Sequence, residues 1–200
     1  MKDIIQKAPE ETKQKLRLGQ VSIDYAYKQV KRAQDHKAEN IQKLPEGQFS
    51  VILADPPWSY DINTRGSPDD HYAVMDIEDI KSLNIPAADN AILFLWATAP
   101  KMQEAVDVME AWGFTYKTNM VWIKDKIGTG YYCRGKYELL LIGEKGQMPV
   151  PEEKNRPPSV IEALRGKHNE KPDQAYQLIE QMYQLHASNI VRSGQLGVMK

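Results

Sequence analysis

The spacing of hydrophobic positions changes character near residue 48. Upstream, Ile23, Ala26, Tyr27 and Val30 recur at helical intervals and form one apolar stripe. Pro9 suits the first turn of a short helix that runs through Leu18, Gly19 stops it, and Ser22 caps a second helix opening with IDYAYKQVKR. Downstream, compact runs of β-formers alternate with amphipathic segments. They predict strands over 49–54, 90–97, 114–123 and 137–143. Helices are expected over 76–83 with Asp76 as cap, over 100–112 closed by Gly113, and over 172–185. The alternation predicts an α/β sheet of mostly parallel strands flanked by helices. It occupies residues 45–200, with residues 1–44 as a small helical hairpin appendage. Residues 124–136 and 144–158, rich in Gly, Pro, Lys and Glu, read as long loops of the kind that carry function.

Composition narrows the classes. With 42% hydrophobic and 26% charged residues the chain reads as an ordinary soluble protein, and no apolar run approaches the roughly 20 residues that cross a bilayer. The opening MKDIIQKAPEETKQK is too charged for a secretory signal. A single cysteine, Cys133, excludes an intramolecular disulfide framework and a Cys-cluster zinc site, and fits a reducing interior such as the cytoplasm. His36, His71, His168 and His186 show no metal-ligand spacing, so no metal is expected. The net charge of -1 conceals an asymmetry: ten basic residues against six acidic ones give residues 1–45 a charge of +4, leaving -5 for the rest. A basic appendage hints at nucleic acid, although a solvated helical face carries the same charges equally well. The segment APEETKQKLRLGQVSIDYAYKQVKR resembles the helical piece that follows the nuclease-like core of ParB-type DNA-binding proteins. A simple docking hairpin accounts for it as readily.

Chemistry concentrates where the first strand ends. FSVILADPPWSY breaks a buried strand with an acid, two rigid residues and an indole, Asp55-Pro56-Pro57-Trp58. Ligands gather beyond the carboxyl ends of strands in open α/β sheets. Two prolines remove two backbone donors and fix the arc of their carbonyls, Asp55 adds an acceptor, and Trp58 adds a flat apolar wall. An aromatic ring bearing an amine suits that set.

The tetrad DPPW, followed in order by HYAVMDIEDIKSLNIP, ILFLWAT, MEAWGF, VWIK, YELLLIGEKG and KHNEKPDQAYQLIEQMY, resembles the MT-A70 family of S-adenosylmethionine-dependent N(6)-adenine methyltransferases over residues 45–184. The resemblance implies a Rossmann-like methyltransferase fold, S-adenosyl-L-methionine as cofactor and nucleic acid as substrate, DNA ahead of RNA. It makes Asp55, Pro56, Pro57 and Trp58 the catalytic, adenine-gripping tetrad. Asp55, Lys171, Asn40 and Ile41 become cofactor contacts, with Lys171 on the cofactor carboxylate. Tyr72, Lys124, Glu138 and His168 fall near the substrate. For Trp96, Trp112 and Trp122 core packing is the stronger expectation. A homo- or hetero-oligomer is left open. Two positions depart from the family, Asn169 where serine is usual and Tyr137 where histidine is usual.

The carboxyl-terminal end departs further. Family members run on through a strand reading like ELFAR to GWxxWGNE, whereas this chain reads HASNIVRSGQLGVMK. Leu196 to Lys200 can be spelled CTT GGG GTA ATG AAA, and the frame starting at its third base reads Trp-Gly-Asn-Glu. A frame change is therefore the expected origin. The expected consequence is loss of a strand beside the cofactor, an exposed sheet edge and impaired activity, down to a methyltransferase-like domain that only binds nucleic acid or a partner.

Overall fold

The computed structural model describes residues 10–23, 26–27, 44–60, 75–130, 132–166, 170–184 and 196–199. By contact the chain divides into two units, residues 1–41 with 59–75 and residues 42–58 with 76–200. The sequence suggested a single break after residue 44; the stretch following Trp58 instead groups with the first unit.

In the first unit, α1 (Glu10–Arg17) is tied by Lys13 and Arg17, which reach Glu10 at 3.4 and 3.2 Å. Such exposed pairs add a few tenths of a kcal/mol, roughly 0.2–0.5 each. Gly19 at φ 69° ends the helix, as expected. The Ala26 amide donates to Ser22 O at 3.0 Å, beginning the second helical piece at the expected place. Its remaining stripe position, Val30, lies outside the described residues.

The second unit contains β1 (Phe49–Ala54), α2 (Ile77–Lys81), β2 (Ala87–Ala97), α3 (Met102–Ala111), β3 (Thr115–Ile123), β4 (Tyr137–Lys145), β5 (Val160–Glu162), α4 (Asp173–Tyr183) and β6 (Leu196–Met199). These strands form one sheet in the order β5-β3-β4-β2-β1-β6. β2 is buried along Ala91–Ala97 without a break, the mark of a strand covered on both faces. α3 packs on β2, β3 and β4. On the other face Ala175 and Ile179 of α4 meet Leu53, Phe94, Trp96, Met120 and Leu140. Each large side chain so buried contributes about 1.5–3 kcal/mol.

The α/β class holds, but the sheet is mixed. β1 runs parallel to β2, and β3 parallel to β5, whereas β2–β4, β3–β4 and β1–β6 are antiparallel. The physical reason was in view: residues 124–136 contain no helical pattern, and parallel neighbours need a crossover that only a longer connection provides. β2 begins three residues before the expected start and β4 runs to Lys145, inside the stretch read as a loop. The short edge strand β5 was not anticipated. The expected missing strand is also corrected. Leu196–Met199 pairs antiparallel with Ala54–Val51, so β1 is an interior strand with ladders on both sides.

Gly146, where β4 ends, has φ 68°, and a Cβ there would stand 2.2 Å from Asp89 O and 2.4 Å from Asn90 Oδ1. Asn90 Oδ1 accepts the Gln147 amide at 2.7 Å, so this neighbour is itself held. Gly146→Ala is expected to lower unfolding free energy by about 2 kcal/mol or more, from the left-handed backbone and the collision together. Chemical denaturation measures it.

Among the described residues no helix is long and apolar enough to cross a membrane, and no group of three or more His, Cys, Asp or Glu is placed to hold a metal.

Candidate active site

Strand parity assembles the site. Side chains alternate faces along a strand, so Asp55 continues the row of Val51 and Leu53, and Trp96 continues Ile92 and Phe94. Lys124 likewise continues Met120 and Trp122, and Glu138 precedes Leu140 and Ile142. β1 and β2 are parallel while β4 runs the other way, which brings the ends of β1, β2 and β3 and the start of β4 to one end of the sheet. Lys171 sits just ahead of α4, which covers that same face.

The four charged side chains form a chain of alternating sign. Lys171 Nζ stands 3.2 Å from Asp55 Oδ1 and 3.0 Å from Glu138 Oε2, and Lys124 Nζ donates to Glu138 Oε1. Their floor is aromatic. Lys171 lies 5.3 Å from the centroid of the Trp96 ring and Lys124 5.1 Å from that of Trp122, within cation–π range. The two indoles meet edge to face at 6.1 Å and 74°. Trp122 Nε1 donates to Ala163 O at 2.9 Å, while Trp96 Nε1, also buried, has no hydrogen-bond partner among the described residues.

Charge state follows from this geometry. Burial pushes the Asp55 carboxyl up to about 6, against the pull of Lys171 beside it. Its side chain keeps 27% of its surface open, so the shift comes from surrounding walls rather than complete enclosure. Burial also works against Lys171, but Asp55 and Glu138 outweigh it and hold the ammonium well above its ordinary range. For Glu138 burial is likewise outweighed, by Lys171 and Lys124, and the carboxyl lies below its usual value.

The tetrad forms a tight turn. The Trp58 amide donates to Pro56 O at 2.9 Å, and Trp58 Nε1 donates to Trp96 O at 2.9 Å. At 7% exposure Trp58 locks the turn against β2 and offers little open face for a ring to stack on. Pro56 is buried and its carbonyl already accepts the Trp58 amide, whereas Pro57 is half-buried. Trp96, Trp112 and Trp122 are buried, as expected, and Trp112 Nε1 donates to Ile80 O at 3.0 Å, joining the end of α3 to α2. Of the site candidates, Asp55, Lys171, Glu138 and Lys124 come together, and Trp58 is bonded to the backbone of Trp96, whose ring lies under Lys171. Asn40, Ile41, Tyr72 and His168 lie outside the described residues.

Sequence reasoning missed that Lys171 reaches Asp55 and Glu138, and that Trp96 and Trp122 carry the two lysines. The Trp122-x-Lys124 spacing was a usable signal for the second, since it puts both on one face. It also missed a clamp in which Asp125 Oδ1 accepts the Arg165 amide at 3.1 Å, with Arg165 Nε at 3.6 Å. A cavity of about 550 Å³ between Ile92, Met148, Met182 and Tyr183 is separate from this cluster and includes none of its four charged residues.

The charged set fits the amino-acid end of a sulfonium cofactor. Two carboxylates and two ammonium groups balance, Lys171 has a third hydrogen for a ligand carboxylate, and Asp55 retains open surface toward a ligand ammonium.

Comparison with known proteins shows the family. The profile of the MT-A70 family matches residues 49–190. A Type II methyltransferase, M.MunI, from Mycoplasma sp is 32% identical over 156 residues, covering 67% of each chain. The Drosophila melanogaster N(6)-adenosine-methyltransferase MT-A70-like protein and the human N(6)-adenosine-methyltransferase catalytic subunit METTL3 are each 29% identical over 145 residues. These cover 68% of this chain but 23% and 24% of theirs, so the chain spans about a quarter of these animal relatives. On the matched profile, the Mycoplasma relative and the tetrad at the end of β1, the chain belongs to the MT-A70 family of adenine methyltransferases.

Proposed function

We propose that this chain transfers a methyl group from S-adenosylmethionine to the 6-amino group of adenine in DNA, with Asp55, the Pro57 carbonyl and Lys171 as the working groups. The observation that carries the reading is Asp55 at the mouth of β1, on a turn rigidified by two prolines and bonded to Lys171 at 3.2 Å. An exocyclic amine is a poor nucleophile because its lone pair is delocalised into the ring. Asp55 and the Pro57 carbonyl each accept one of its hydrogens, which localises that pair on nitrogen and aims it. S-adenosylmethionine, when bound, supplies an electrophilic methyl on a sulfonium. The Asp55 carboxylate would stabilise the positive charge that would grow on that nitrogen as it took the methyl from sulfur. A carboxyl titrating near 6 also accepts the surplus proton and returns it to water. Lys171 and Asp55 hold the cofactor's carboxylate and ammonium, Glu138 holds Lys171, and Lys124 holds Glu138; the family resemblance adds Asn40 and Ile41 as cofactor contacts and Tyr72 and His168 as substrate contacts. Trp58 acts as the anchor of the turn.

DNA is favoured over RNA because the Type II methyltransferase relative matches over two thirds of both chains, whereas the adenosine methyltransferases match over a quarter of theirs. The exposed free thiol of Cys133 suits a reducing, cytoplasmic setting. Tritiated-methyl transfer from labelled cofactor to matched DNA and RNA strands tests the reading, with the product identified by mass. N6-methyladenine in DNA is the expected product. Strand binding without cofactor binding by calorimetry would identify a binding module instead.

A further inference from the structure

The segment between β3 and β4, residues 124–136, is a built arm. Backbone bonds join its two rails: Lys124 N to Lys136 O at 2.8 Å, Gly128 N to Gly135 O at 2.7 Å and Gly135 N to Thr129 O at 3.2 Å. Arg134 Nε adds a bond to Gly128 O at 3.1 Å. The tip turns so sharply that a Cβ on Gly130 would fall 2.0 Å from Cys133 O. At the base, Lys124 is held by Glu138 and Asp125 by Arg165.

What the arm shows to solvent is selective. Its single acid, Asp125, is engaged by Arg165, and that pairing holds its carboxyl below the ordinary range. Lys126, Arg134 and Lys136 are exposed, and among the described residues no carboxylate pairs with them. Tyr132 near the tip has 104% relative exposure, so its ring is open to solvent on both faces. Ile127, on the first rail, is 51% exposed. Three cations without a competing acid, an open phenol ring and a base rooted in the Lys124–Glu138 pair match the chemistry of a single nucleic-acid strand: phosphates on the cations and a base on the ring. Tyr132 stands four residues from Lys136, at most about 13 Å along the chain, which places it to meet nucleotides beside the target rather than the target itself.

We propose that the arm 124–136 guides the substrate strand into the site, with Lys126, Lys136 and Arg134 on phosphates and Tyr132 stacked on an unpaired base flanking the target adenine. This rests on the adenine methyltransferase reading.

Tyr132→Ala and the double variant Lys126→Ala/Lys136→Ala test it in the full chain; Arg134 is left alone because it also braces the arm. Binding of a fluorescently labelled single strand is followed by anisotropy from about 50 to 200 mM salt. Tyr132→Ala is expected to weaken binding by about 10- to 100-fold with an unchanged salt slope. The double variant is expected to flatten that slope by about 1.4. Tyr132→Trp should restore affinity. Transfer to an adenine-containing trinucleotide, too short to reach the tip, should be the same in every variant, while kcat/KM on a long strand falls. Equal effects on both substrates, no effect on either, or a change in oligomeric mass with strand binding intact would overturn the arm's role. Failure of the unaltered chain to methylate either substrate would instead overturn the methyltransferase reading.

Discussion

Asp55→Asn is expected to cut methyl transfer by about three orders of magnitude while making the folded chain more stable above pH 6. Loss of the carboxylate removes an aimed acceptor, the charge that stabilises the transition state and the proton acceptor; acid–base help alone is typically worth about 100- to 10,000-fold. The stability effect follows from the same burial. In the fold the carboxyl titrates near 6 against an ordinary 3.8, so between these values the folded chain binds more protons than the unfolded one. Asp55 therefore supports stability fully below pH 3.8, and that support disappears as pH rises through 6. Two units correspond to about 3 kcal/mol, discounted to about 2 kcal/mol because 27% of the side chain is open to water. The asparagine variant should melt several degrees higher at pH 8 and show no advantage at pH 4, and transfer by the unaltered enzyme should rise through pH 6. Equal melting temperatures at pH 8 would mean that Asp55 is ionised at no cost.

Lys171→Met is the second large effect. The ammonium is shared by Asp55 and Glu138, so its removal leaves two partly buried carboxylates with Lys124 alone. Breaking a buried pair from one side costs about 3–5 kcal/mol, and the surviving openings to water place this case at the lower end. Affinity for S-adenosylmethionine, read by calorimetry, should fall about 100-fold with the loss of a charged hydrogen bond. The acid limb of the pH–rate profile should also move to higher pH, because Lys171 is the strongest influence opposing the burial of Asp55. Unchanged affinity together with an unmoved limb would assign Lys171 to structure alone.

Much of the site was readable because its pieces are local. The run Phe49–Leu53 announces a buried strand and DPPW its abrupt end, so Asp55 could be placed at the sheet's mouth from pattern alone. Long-range partnership was not readable. Nothing in the neighbourhood of Lys171 says that its ammonium returns to Glu138, 33 residues away in sequence. Strand direction failed for a related reason: residues 137–143 look the same whether they enter the sheet up or down, and only the missing helix before them decides. β6 was obscured by its brevity; Leu196–Met199 is too short a run to register until β1 offers it an open edge. Trp58 shows the limit of reasoning from residue type, since an indole beside a carboxylate reads equally as a wall for a ligand or as a bolt for the backbone.

The indole floor has a practical corollary. Of the four tryptophans in the chain, Trp58, Trp96 and Trp122 cluster at the charged network and only Trp112 reports from elsewhere. Any occupant that draws a lysine off its ring alters the electric field at that chromophore. Intrinsic emission is thus an inbuilt, label-free gauge of occupancy, ready for stopped-flow timing.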